Sequence, residues 1–264
     1  MARPILDDDL WALIEPLLPP PKPRRSRHPG RKPLDNRAVL TGILFILQTG
    51  LRWDLLPQEM GCGSGMSCWR RLRDWQAALR VGRATRSAAC ALACGRPDRL
   101  GPGHRRLLFN PCHGRWSKTG PNPTDRARPG SKHRLITEAR GISLAVILTG
   151  ANRHDFTQLH ALVDAVPPIG GKRGRQLSKP QVVQGDRGYD HHKYRRPLYA
   201  AGIATEIARR GQPHGSGLGK TRWVVERAIR RLRIRFERLA FIHEAFLKLA
   251  RCIICWRQPQ SSFC

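Results

Sequence analysis

Acid is what this sequence has least of: 19 Asp and Glu stand against 48 Lys and Arg in 264 residues, a formal net charge of +29. A field of that sign attracts polyanions and supplies phosphate contacts, so a nucleic acid is the natural partner. A merely basic, ribosome-like surface is the plainer alternative. Long apolar runs are also missing. The longest, such as Ile43-Leu44-Phe45-Ile46-Leu47, is far too short to cross a bilayer, so no membrane partner is expected. The start, Met1-Ala2-Arg3-Pro4, lacks a signal-peptide pattern, which points to the cytoplasm and to reduced cysteines. Aromatic RNP and glycine-loop motifs are absent, which leaves a general RNA-binding protein without support. Eight cysteines are present without a matched zinc pattern. Cys252-Ile253-Ile254-Cys255 has half-site spacing but lies in an apolar helical pattern with no second pair, so unbound thiols are expected.

The elements that are present fall into a helical N-terminal part and a mixed C-terminal part. Asp7-Asp8-Asp9 can cap a short helix that Pro19-Pro20-Pro21 must stop. A basic stretch over 22–33 follows, containing Arg24, Arg25, Arg27, Arg31 and Lys32. It suits either phosphate tracking and minor-groove entry or a solvated connector. Asp35-Asn36 caps a helix through Val39, Leu40, Ile43, Leu44 and Leu47 that ends near Thr49-Gly50. A further helix from Ser67 carries Arg70, Arg71 and Arg73 between the apolar positions Trp69, Leu72 and Trp75. That pattern fits a DNA-facing basic helix and equally an amphipathic core helix with a charged outer face. Residues 1–78 are therefore assigned to a helical DNA-binding region.

From about residue 118 a different order appears. Leu135-Ile136-Thr137 and residues 142–148 flank Glu138-Ala139-Arg140-Gly141 as a β-hairpin. Asp155 opens a helix to about Val166, Val182-Val183 forms a strand, a helix lies near residues 192–199, and a strand covers 203–207. A long helix starts at Arg222. Two acids stand out in this order. Asp186 follows the apolar run Gln181-Val182-Val183-Gln184-Gly185, so its carboxylate sits at the C-terminal tip of a strand, where α/β sheets carry ligand-binding groups. Glu226 lies one helical turn after Arg222, on the same helix face. Acids on separate elements of a basic protein suggest metal-dependent chemistry on nucleic acid; capping by Asp186 and an ion pair between Glu226 and Arg222 or Arg230 are the alternative roles.

The motifs Gly130-Ser131-Lys132-His133, Leu148-Thr149-Gly150-Ala151-Asn152-Arg153-His154-Asp155, Gly185-Asp186-Arg187-Gly188-Tyr189-Asp190 and Arg222-Trp223-Val224-Val225-Glu226-Arg227 closely resemble the catalytic half of bacterial insertion-sequence transposases of the DDE type. Gly50-Leu51-Arg52-Trp53-Asp54-Leu55-Leu56-Pro57 resembles the helical region that precedes the core in one branch of that family. The resemblance implies an α/β fold with an RNase H-like mixed sheet and flanking helices over 118–257, a tail over 258–264, and an all-α region before it. It also implies DNA strand cleavage and transfer at element ends by three acids holding two divalent ions, usually Mg2+. By position Asp186 matches the second acid and Glu226 the third, both as metal ligands, with Arg222 as the catalytic arginine. Thr221 stands where a tyrosine usually precedes that arginine. Double-stranded DNA at element ends and target is the implied partner, with a second copy of the chain as a homodimeric one.

Residues 79–117 depart from this picture. They hold one carboxylate, Asp98, no isoleucine and no lysine, and they follow neither structural period. The first acid of the family belongs on the first core strand, upstream of Gly120, and no residue there matches it. Reading residues 100–107 one nucleotide later, with permitted codons, can yield Trp-Asp-Arg-Ala-Ile-Val-Asp-Ser, an apolar strand ending in an acid. The expectation is therefore a segment put out of frame by two compensating indels, a first core strand lost with it, two sheet fragments with unpaired edges, and a disabled transposase. A non-catalytic DNA-binding protein or regulator is the alternative.

Overall fold

The computed structural model describes residues 4–20, 26–28, 32–78, 104–111, 118–123, 126–138, 143–167, 179–185, 187–207, 209, 211, 237 and 239–256, with backbone alone for 104–111. Three helices form the N-terminal part: α1 (Asp8–Ile14), α2 (Asn36–Thr49) and α3 (Gly65–Ala77). Their starts are set by side chains that take up otherwise unpaired helix N–H groups. Asp7 accepts from the Leu10 amide at 2.9 Å, Asp35 from that of Ala38 at 3.1 Å and Ser64 from that of Ser67 at 3.2 Å. Gly50 closes α2 at φ 72°, a left-handed conformation that glycine adopts without strain. The expected start of α3 at Ser67 moves back to Gly65, because Ser64 is the capping residue.

The mixed part contains β1 (His104–Pro111), β2 (Gly120–Pro121), β3 (Pro129–Thr137), β4 (Ser143–Gly150), α4 (Leu159–Asp164), β5 (Val182–Gly185), α5 (His192–Ala200), β6 (Ala204–Ile207) and α6 (Ala240–Trp256). β3 pairs antiparallel with β1, β2 and β4; β5 and β6 form a separate parallel pair with α5 as the crossover. The expected loss of the first core strand is therefore corrected. Residues 104–111 form a strand with eight antiparallel partners, from His104 opposite Thr137 to Pro111 opposite Gly130. Ladder pairing is made by the main chain, so a segment without an alternating apolar pattern can still pair as a strand. β1 also approaches β5, although no ladder joins them among the described residues.

Successive β3 residues face opposite layers, and both layers are covered, so the strand is buried almost along its length. Leu135, with Leu148 of β4, joins a core made by α1, α2, α3 and α6. Ile136, with Leu144 and Ala145, packs instead on Leu162 of α4 and on Val166. α4 then carries Leu159 and Val163 to a third cluster with Val183, Tyr189, Leu198, Ile203 and Ile207. The expected helix over 155–166 begins as a 3-10 turn, Phe156–Gln158, before α4. Among the described residues no helix is long and apolar enough to cross a membrane.

Candidate functional site

Asp186, Arg222 and Glu226 lie outside the described residues. The backbone leading into and out of Asp186 is tightly held. Gly185 ends the parallel ladder opposite Ile207, and residues 187–189 turn at once into a 3-10 helix. Tyr189 folds back into the core so closely that a Cβ on Gly185 would stand 3.4 Å from its ring. Asp190 pairs with Arg195 at 2.7 Å, and Arg195 donates to the Ile207 carbonyl at 2.9 Å. The turn, α5 and the end of β6 are thus fastened together by one buried guanidinium. Gln184 and Glu206 hydrogen-bond across the same strand pair.

The second group of motif residues lies where β3 begins and β4 ends. Ser131 donates to the Lys118 carbonyl at 2.7 Å. Arg134, whose side chain is 1% exposed, donates to the Arg153 carbonyl at 2.7 Å and pairs with Asp155 at 3.2 Å; Lys132 pairs with Asp155 at 3.3 Å. Burial lowers the pKa of Arg134 and the Asp155 carboxylate opposes that, so the guanidinium keeps its charge. Asn152 is clamped between two glycines: a Cβ on Gly120 or Gly150 would lie 2.1 or 2.7 Å from its Oδ1. On the opposite face His133 meets His243 of α6, Nε2 to Nε2 at 2.7 Å, with both rings buried. Burial lowers His133 to about 3, with the neighbouring His243 adding to the effect, and lowers His243 to about 4. The two motifs over 130–133 and 148–155 thus contain packing and ion-pair locks at this edge. Sequence reasoning assigned them no such roles, because their partners lie far away in the chain.

Of the basic residues assigned to DNA, Arg24, Arg25 and Arg31 lie outside the described residues, while Arg27, Lys32 and Arg70 are exposed. Arg73 pairs with Asp74 at 2.9 Å and lies 5.6 Å from the Trp69 ring centre. Arg71 is turned toward α2, donating to Asn36 at 2.9 Å and the Leu34 carbonyl at 3.4 Å. Leu72 and Trp75 are buried, so α3 is a core helix whose outer face is basic.

Among the described residues no three His, Cys, Asp or Glu side chains stand together to hold a metal, and Cys62 and Cys68 are free thiols. β1 reads His-Arg-Arg-Leu-Leu-Phe-Asn-Pro and contains no carboxylate. β1 therefore supplies none of the carboxylate oxygens that hard divalent ions prefer.

The molecule is a mixed α/β protein, strongly basic and fronted by helices. Residues 101–254 match a family profile described as "Transposase DDE domain", and residues 6–83 match one described as "Putative transposase of IS4/5 family". The chain is 56% identical over 184 residues to "Putative transposase for insertion sequence element IS402" of Burkholderia cepacia, covering 67% of this chain and 86% of that protein. It is 77% identical over 78 residues to "Insertion element IS402 uncharacterized 16.2 kDa protein" of the same organism, covering 30% of this chain and 53% of that protein. The chain belongs to the IS4/5-type DDE transposases of insertion sequences. The family acts on DNA and typically uses a divalent metal.

Proposed function

We propose that this chain is an insertion-sequence transposase derivative that binds double-stranded DNA at element ends and lacks strand-cleavage turnover. The family chemistry is metal-dependent cleavage and joining, with Mg2+ the expected ion and Asp186, Glu226 and Arg222 its expected residues here. The strand order β4, β3, β1, followed by the adjoining parallel pair β5 and β6, supports an RNase H-like reading of the domain. The observation that supports the loss of turnover is β1, which flanks β3 as a strand and brings no acid.

The test is nicking of a supercoiled plasmid bearing the element ends, with and without Mg2+. No nicking is expected from this chain; metal-dependent nicking abolished by Asp186→Ala would overturn the proposal. A chain with residues 79–117 re-encoded in the adjacent frame is expected to nick. Should the gene be unable to encode an acid-ended strand in that frame, the indel account fails.

A regulator that binds DNA without chemistry is the second reading, favoured by the exposed Arg27, Lys32 and Arg70. Binding that survives Asp186→Ala and weakens steeply with salt supports it. The logarithm of affinity should fall with a slope of about −0.9 per phosphate contacted.

A further inference from the structure

Beside the β5–β6 pair, rings from two segments collect on one surface. His154 lies nearly parallel to Phe156, with ring centres 5.3 Å apart and planes 11° apart. Phe156 touches His191 at 4.3 Å and Tyr194 at 5.1 Å. Phe156 and Tyr194 are anchored from below by the cluster that contains Leu159, Val183, Tyr189 and Leu198. His154 differs from the others. It is exposed, and among the described residues its ring makes no hydrogen bond. One ring face rests on Phe156, which leaves the opposite face to solvent.

Packing alone does not account for an exposed imidazole held flat on a phenyl ring, since the core beneath is already closed by Phe156 and Tyr194. A flat ring with one free face is the geometry of a stacking platform. The cations around it specify what stacks. Arg153 precedes His154, and Lys193 and Arg196 lie on α5 with Tyr194; all three are exposed. Aromatic faces interleaved with exposed cations suit a single strand, whose bases offer π-faces while its phosphates meet the charges. A base inside a duplex has both faces covered by its neighbours and cannot use such a platform.

We propose that His154 and Phe156 form a stacking site for one unpaired DNA base, with Arg153, Lys193 and Arg196 meeting the adjoining phosphates. This rests on the DNA-binding reading and adds a site to it. The test uses the full chain and two DNAs with the same double-stranded length: one blunt, one with a short overhang carrying 2-aminopurine. The overhang fluorophore is expected to be quenched on binding. His154→Ala should weaken overhang binding at least about fivefold, from the roughly 1–3 kcal/mol that base stacking contributes, relieve the quenching, and leave blunt-duplex affinity unchanged. His154→Phe, which keeps a π-face, should restore both. An unquenched fluorophore, an equal loss on both DNAs in His154→Ala, or no rescue by phenylalanine overturns the platform. Absence of binding to either DNA at low salt overturns the DNA-binding reading instead.

Discussion

At the scale of single residues, the chemistry near β3 is held by groups whose charge state depends on burial. His133 and His243 are neutral in the folded chain, with pKa values lowered from 6.5 to about 3 and about 4. One ring must donate its Nε2–H while the other accepts. In the unfolded chain both take a proton near pH 6.5. Between that pH and the folded values the unfolded state binds more protons, so this contribution is present above pH 6.5 and is lost as pH falls toward 4. The loss should be about 1.4 kcal/mol per pH unit for each histidine in that window. Urea midpoints at pH 7.5, 6 and 5 check this: His243→Phe should flatten the decline, and an unchanged slope would show that the pair does not couple folding to protons. Asp155 offers a second test. It faces Lys132 and the buried Arg134, so Asp155→Ala leaves a guanidinium in the core without its carboxylate. A loss of roughly 2–4 kcal/mol is expected, tempered by the partial exposure of Asp155, whereas Arg134→Met should cost less because it removes the buried charge itself. The opposite ranking in denaturant unfolding would refute this account.

At the scale of elements, close approach explains positions that charge does not. A Cβ on Gly65 would fall 1.7 Å from the Trp53 carbonyl oxygen, a backbone atom that cannot swing away. Gly65→Ala should therefore push α3 off the Trp53 turn, costing about 3 kcal/mol or more, read as a fall in the thermal midpoint. An unchanged midpoint would mean that the turn yields freely. Such contacts also mark what the sequence could disclose. Asp7, Asp35 and Gly50 were legible as helix limits, because capping is a local hydrogen-bonding rule. The β3–β4 hairpin and the strand before Asp186 were legible from apolar runs between turn residues. The strand over 104–111 was not, since three arginine and histidine residues open it and only its ladder with β3 defines it. The interlock of Arg195 with Asp190 and Ile207, and the pairing of His133 with His243 across 110 residues, had no local signal. Asp186 and Glu226 lie outside the described residues, and the contacts around the turn after β5 had no local signal.

At the scale of the whole molecule, the helical N-terminal part is completed by the other end of the chain. Leu40, Leu44, Leu72 and Trp75 share one buried cluster with Ile242 and Phe246 of α6, and the Trp53 ring stacks on Phe246 at 5.2 Å. The ends are also tied by hydrogen bonds. Trp256 donates to Asp7 at 2.8 Å, and Trp53 donates at 3.3 Å to Glu237, whose other oxygen accepts from the Leu239 amide at 2.8 Å, just before α6. The basic outer face of α3, proposed above to meet DNA, is therefore supported from beneath by the helix that also buries His243 against the sheet. If α6 completes this core, residues 1–83 produced alone must leave apolar side chains in water. That fragment should bind a hydrophobic dye and melt without a sharp transition, while the full chain melts cooperatively. Phe246→Ala in the full chain should cost about 3–5 kcal/mol by the cavity it leaves. It should also weaken DNA binding through the N-terminal helices, although no DNA-facing residue has changed. A fragment 1–83 that unfolds cooperatively and ignores the dye would show that the N-terminal helices stand without α6, and coupling between the two ends of the chain would have to be abandoned.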